Sequence, residues 1–182
     1  MAIIVVGGSG RGVGKTALVC GLIAALPEFR WTAVKITGHE HGKPEPIWEE
    51  RSAGQGSDTA RYRAAGAERA LLVSSQPDEL GRIARQLLQP RQEEELPPHL
   101  IFESNSILDH LKPDICLVID GGPQAKHKTS FAAALDSADA IVARAGRDGM
   151  VEGDQPLFYL EDLQRISPEM MGWMRGKLNS HS

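Results

Sequence analysis

The sequence has no apolar stretch long enough to cross a bilayer, only two cysteines, no excess of positive charge and no linker-like tract of Ser, Gly or Pro. Each absence removes a class. A membrane helix needs about 20 apolar residues, and a secretory leader needs a basic start with an apolar core of about 7–15 residues; the N-terminus shows neither, so we expect a cytoplasmic protein with no membrane partner. With 20 Lys and Arg against 24 Asp and Glu, the formal charge is −4, and no basic field offers itself to nucleic acid. Cys20 falls within an apolar helical pattern and Cys116 within an apolar strand pattern. Such positions suit core filling and carry neither a disulfide framework nor a metal signature. There is no internal repeat, and 182 residues, 41% hydrophobic, suffice for one core, so residues 1–182 are expected to form a single domain.

What is present is an alternation. Short apolar runs at Ala2–Val6, Thr32–Ile36, Ala70–Val73, Leu100–Phe102, Ile115–Ile119 and Ala138–Val142 are separated by helix-compatible segments. The helices are expected at Thr16–Leu26, Asp58–Ala65, Asp78–Leu88, Ser106–Leu111, Ser130–Leu135 and Pro168–Leu178, the last with Ser167 as its cap. Several runs lack a polar alternate face, as in a mostly parallel sheet covered by helices on both sides. The fold class is therefore α/β. Gly38–Gly56 shows no periodicity and reads as a long loop, and Arg91–Pro98, with Glu93, Glu94 and Glu95, reads as a solvated connection. The C-terminal helix carries Met170, Met171, Trp173 and Met174, an apolar face that suits the core and is also the best candidate for a dimer surface.

The densest signal is "GGSGRGVGKTALV", Gly7 to Val19, which follows the first apolar run. Strand, glycine-rich turn and a helix starting at Gly14-Lys15-Thr16 make the arrangement of a phosphate-binding P-loop, so the expected fold is a single-domain P-loop NTPase with a mostly parallel sheet flanked by helices. Glycines let backbone N–H groups close on phosphate oxygens, and the free N–H groups at the helix start favour the same anion. The pattern G-x-x-x-x-G-K-[ST] departs once, since Ser9 stands where the first glycine belongs. A dinucleotide fingerprint fails at Val13 and a nucleophile elbow fails at Arg11. Candidate nucleotide contacts are Gly10, Gly12, Val13, Gly14, Lys15, Thr16 and Ala17, with Lys15 reaching the terminal phosphates and Thr16 a ligand of Mg²⁺. Arg11 stands where some P-loop ATPases carry a signature lysine; it either supplies charge to a phosphate across a dimer or is a solvated arginine.

Carboxylates at strand ends complete such a site. "LIFES" ends in Glu103 and "ICLVID" in Asp120, the latter like a Walker B aspartate, and which of them serves the metal is open. "KITGHEH", Lys35 to His41, brings Lys35 and His39 to the same sheet edge, where phosphate or substrate contact is the preferred role. His39 and His41 do not make a zinc site. Lys15, Arg11 and Lys35 are the candidate catalytic cations.

Three segments together resemble the molybdopterin-guanine dinucleotide biosynthesis protein B family. They are Gly14-Lys15-Thr16; Lys35, Thr37 and His39; and "DTARYRAAGA", where Asp58, Thr59, Arg63, Ala65, Gly66 and Ala67 fall in register. The likeness covers approximately the first 75 residues and, weakly, the strand ending at Glu103. It implies a homodimeric GTP-binding protein with slow GTP hydrolysis that assists a molybdopterin guanylyltransferase partner, and it implies that Asp58 and Arg63 serve the nucleotide or its metal. Asp58 as a helix cap and Arg63 as a surface residue are the structural alternative. "VIDGGPQAKHK" has no place in that family, and no base-reading motif separates GTP from ATP; Asp148 is a remote echo of one. An ATP-dependent small-molecule kinase or ligase resembling dethiobiotin synthetase, using Lys35, Glu103 and Ser104 on its acceptor, is the alternative. A binding module without turnover is a third reading.

Overall fold

The computed structural model describes residues 1–38, 45–89, 97–122, 129–145 and 154–181. Eight strands form one sheet in the order β3-β4-β2-β5-β1-β6-β7-β8: β1 Ile3–Gly8, β2 Trp31–Thr37, β3 Ile47–Glu50, β4 Arg69–Ser74, β5 His99–Glu103, β6 Ile115–Asp120, β7 Ala140–Arg144 and β8 Leu157–Leu160. Every neighbouring pair is parallel except β3 on β4. The helices are α1 Lys15–Ala25, α2 Asp58–Ala64, α3 Pro77–Leu88, α4 Thr129–Asp136 and α5 Pro168–Asn179. Alternate residues of the central strands feed cores on opposite faces. Ile4, Val6 and Ala33 pack with α1 and α5, whereas Val5, Val34 and Phe102 pack with α3 and α4. Strands buried on both sides need no polar alternation, which is why these runs read as continuously apolar.

All six apolar runs become strands, and two strands were not expected. Ile47–Glu50 lies inside the segment read as loop: "IWEE" is too short to show alternation, and it becomes a strand because β4 offers it a free antiparallel edge. Leu157–Leu160 is a short parallel edge that buries Phe158 and Leu160 while Tyr159 is exposed. Ser106–Leu111 shrinks to a 3-10 turn, Ser106–Asp109, before the chain enters β6. At the C-terminus Ser167 accepts a hydrogen bond from Met170 N at 3.2 Å, the expected cap. Of the face considered for dimerisation, Met170 and Met174 are fully buried in the protein's own core, and Met171 and Trp173 are partly buried against it. His39 and His41, Asp148, residues 91–96 of the acidic connection and the Pro123–Lys128 part of "VIDGGPQAKHK" lie outside the described residues.

One helix position shows how tightly α1 is seated. A Cβ on Gly21 would stand 2.8 Å from Leu163 O and 3.0 Å from the Gln164 backbone, so the segment before α5 lies directly on the helix. In an exposed helix interior Gly→Ala stabilises by about 0.4–1 kcal/mol, but forcing backbone apart costs about 1–3 kcal/mol. Gly21→Ala is expected to lower the melting temperature, while Gly172→Ala and Gly176→Ala in α5, where a Cβ meets nothing within 4 Å, raise it. Thermal unfolding of the three variants checks the opposite signs.

Candidate functional site

The loop between β1 and α1 is shaped by two glycines in the left-handed region, Gly12 at φ 73° and Gly14 at φ 106°. A Cβ on Gly14 would in addition collide with Leu163 Cδ1. Gly14 caps α1 without a side-chain hydrogen bond, and the first turn holds no acidic residue. The first intrahelical bond runs from Leu18 N to Gly14 O, so the N–H groups of Lys15, Thr16 and Ala17 precede it and form the positive end of the helix dipole. Lys15 Nζ reaches back across the loop to Gly10 O at 2.6 Å.

The loop is also held from behind. Ser9 is fully buried; its N donates to Ile119 O at 3.1 Å and its Oγ accepts from Gly121 N at 3.0 Å. The serine that breaks the glycine pattern thus stitches the loop to the end of β6. On the other side Asn105 acts as a surrogate backbone: its Oδ1 accepts from Gly8 N at 2.8 Å and its Nδ2 donates to Gly8 O at 2.9 Å. Gly7 permits this contact, since a Cβ there would meet Asn105 Oδ1 at 2.8 Å.

Below the loop, β5 ends in Glu103, whose side chain is 3% exposed. Thr16 Oγ1 donates to Glu103 Oε2 at 2.7 Å, Lys35 Nζ pairs with Oε1, and the Tyr62 hydroxyl donates to Oε2. Lys35 is paired as well with Asp58 Oδ2 at 3.0 Å, and Arg61 stands 3.5 Å from Asp58 Oδ1. Asp58 is not the cap of α2: Ser57 Oγ accepts from Ala60 N at 3.1 Å, leaving the Asp58 carboxylate to turn towards the lysine. Burial, and next the nearby Glu103 carboxylate, push the Tyr62 phenol well above its ordinary range, so it stays a donor. Burial also pushes the Cys20 thiol up to about 11, which leaves it unreactive near neutrality.

A cavity of about 850 Å³ opens over this cluster at the carboxyl ends of the strands, where open α/β sheets hold ligands. The structure brings Arg11, Gly12, Gly14, Lys15, Thr16, Ala17, Lys35, Asp58 and Glu103 to its lining. Gly10 contributes through its carbonyl to Lys15, and Val13 packs on the core. Arg63 turns elsewhere and donates to the Ala67 and Glu68 carbonyls beyond α2. Asp120, buried at the end of β6, accepts from Gly122 N at 2.9 Å and does not line the cavity; the carboxylate bonded to Thr16 is Glu103. Arg61, Tyr62 and Asn105 were missed. Arg61 was legible as the i+3 partner of Asp58, whereas nothing local marks Tyr62 or Asn105 as partners of residues about 40 and 100 positions away.

The Thr16 hydroxyl and Glu103 carboxylate are hard oxygen donors side by side, the chemistry Mg²⁺ takes when phosphate and water complete its shell. Among the described residues no group of three or more His, Cys, Asp or Glu gathers as a closed metal site. No helix among them is long and apolar enough to cross a membrane.

The structure is similar to that of LpxK from Aquifex aeolicus, solved as an "apo" form in complex with ATP, with a TM-score of 0.52 at 20% sequence identity. The chain has a P-loop NTPase fold. The alignment covers 86% of this chain and 53% of that one, so the chain spans about half the length of the protein it matches. No protein-family model matches the sequence, and the search of curated proteins found no match.

The cluster around Glu103 sets an order of costs. Removing the cationic partner of a buried carboxylate destabilises by about 3–5 kcal/mol, whereas losing one hydroxyl donor costs about 1–3 kcal/mol. Lys35→Met is therefore expected to lower the unfolding free energy more than Tyr62→Phe. Urea denaturation of both variants measures it, and equal losses would show that Lys35 does not carry the charge balance.

Proposed function

We propose that the protein binds a nucleoside triphosphate with Mg²⁺ in this cavity and moves its γ-phosphoryl group, to water slowly or to a small acceptor. The observation that carries this is the buried Glu103 carboxylate joined to Thr16 of the P-loop helix and to Lys35. Burial alone asks for donors around this carboxylate, and what supports the reading is that one of them is Thr16, on the first turn of the helix that follows the glycine loop, with Lys35 beside it at the cavity. The similarity to an ATP-bound structure supports the same reading.

In this proposal the N–H groups from Gly12 to Ala17 cradle the β- and γ-phosphates and fix their orientation. Lys15 exchanges its bond to Gly10 O for a phosphate oxygen, and Arg11 on the loop surface adds charge from the solvent side. Thr16 and Glu103 would hold Mg²⁺, which when bound neutralises phosphate charge. Lys35, balanced between Glu103 and Asp58, can lend positive charge to the transferring group while staying in place. Phosphoryl transfer depends on such positioning and charge neutralisation, so no protein nucleophile is required.

A second reading keeps the site and changes its purpose: a GTP-binding homodimer that assists molybdopterin guanylylation with a guanylyltransferase partner. One observation favours it. Lys35 and Asp58, which stand in two separate segments of the resemblance, meet at 3.0 Å at the cavity.

Calorimetric titration of ATP and GTP, each with and without Mg²⁺, tests the proposal. Binding is expected to strengthen with Mg²⁺ and to weaken by at least about tenfold in Lys15→Ala, a loss of about 1.4 kcal/mol. Selectivity for GTP moves the choice to the molybdenum cofactor reading, and selectivity for ATP moves it to the kinase or ligase. No affinity for either nucleotide overturns both.

A further inference from the structure

A second cavity, of about 500 Å³, opens beside the first and shares Lys35 and Asp58 with it. Its floor is set by sheet register. Glu103 on β5 is beside Lys35 on β2, Lys35 beside Leu72 on β4, and Leu72 beside Trp48 on β3. Lateral neighbours in a sheet project from the same face, so one row runs from acid to cation to aliphatic to aromatic. Leu72 and Trp48 are half-buried and line the cavity together. From Lys35 to Trp48 the row crosses two strand spacings, about 10 Å, the reach of one aromatic ring with a short arm.

The rim is acidic. Glu50 is held in place by Ser52 N at 3.0 Å and by Ser57 Oγ at 3.3 Å, and Asp58 faces the same space. Lys35, the cation among the described residues of the lining, is already shared between Glu103 and Asp58. Among the described residues of the lining two carboxylates stand against one ammonium, so an anionic guest meets net negative charge while a cation meets Glu50.

We propose that this cavity is the subsite for the phosphoryl acceptor and that it takes a small hydroxylated amine with a flat apolar body. The body lies on Trp48 and Leu72, the ammonium meets Glu50, and the hydroxyl points to Lys35 and Asp58 at the boundary with the phosphate cavity; on transfer its oxygen bonds the γ-phosphorus as the bond to the β–γ bridging oxygen breaks, the nucleoside diphosphate leaves, and the hydroxyl proton passes to Asp58. The proposal rests on the nucleotide reading above for its word acceptor; the binding preference itself stands on the cavity alone.

The test uses tyramine as probe, with para-ethylphenol, which lacks the ammonium, and para-hydroxyphenylacetate, which replaces it by a carboxylate. Ligand-observed NMR follows binding to the full chain, alone and with Mg²⁺ and a non-hydrolysable ATP analogue, and calorimetry follows the analogue separately. Tyramine is expected to bind best, para-ethylphenol about threefold to fivefold more weakly as befits one partly exposed ion pair, and the acid worst. Glu50→Gln should abolish that ranking. Trp48→Leu should weaken tyramine about tenfold, the scale of one aromatic contact, with analogue affinity unchanged. Equal binding of the three probes, or none, overturns the proposal. Loss of analogue affinity in Trp48→Leu also overturns it, by assigning the cavity to the nucleobase. Tyramine binding to a protein with no affinity for the analogue would instead sink the nucleotide reading and leave the amine site standing.

Discussion

A single carboxylate ties the structure together. Glu103, at the carboxyl end of β5, receives hydrogen bonds or an ion pair from α1 through Thr16, from β2 through Lys35 and from α2 through Tyr62. Burying an ionised carboxylate costs several kcal/mol unless charge and donors replace its water. Here they come from three elements remote in sequence, so the charge is tolerable only when those elements occupy their native places. The same requirement that lets the fold tolerate Glu103 positions the threonine and the lysine on which the proposed chemistry rests.

The loop above it obeys a complementary constraint. In the proposed function the loop cradles phosphate, and N–H groups given to phosphate do not serve to hold the loop in shape. Its shape is held instead by the backbone behind it, where Ser9 bonds the end of β6 and Asn105 bonds both backbone groups of Gly8. A glycine at position 9 would keep the turn but lose the hydroxyl that satisfies Gly121 N, so the departure from the glycine pattern has a local physical reason. Rigid support from behind leaves the front of the loop to a ligand.

Much of this was legible in the sequence where the signal is local. The central strands announced themselves because burial on both faces makes them uniformly apolar, and the loop because glycine, lysine and threonine fall within one turn of each other. Ser167 and Pro168 marked the last helix by the same short-range chemistry. What escaped was set by pairing at a distance. "IWEE" is a strand only because β4 has an open edge, and Tyr62 is a donor to the site only because α2 packs over β4 and β2, from where its hydroxyl reaches Glu103. The spacing that put Arg63 in register with a family pattern says nothing of its direction. The helix turns it to the Ala67 and Glu68 carbonyls, and Arg61 takes the place beside Asp58.

The unforeseen edge strand alters what the fold can do. In a sheet that ended at β4, the row from Glu103 through Lys35 would stop at Leu72 and open onto solvent. β3 adds Trp48 to that row and Glu50 to its rim, and it reverses direction to do so. An antiparallel partner brings the chain back towards α2, where Ser57 and Thr59 lie within reach of Glu50. Polarity then changes along one line within about 15 Å, three strand spacings, from a charged end suited to phosphate to an apolar shelf suited to carbon. A site that only held a nucleotide's phosphates would use the charged end alone. In the proposal above, that shelf is where the second molecule lies.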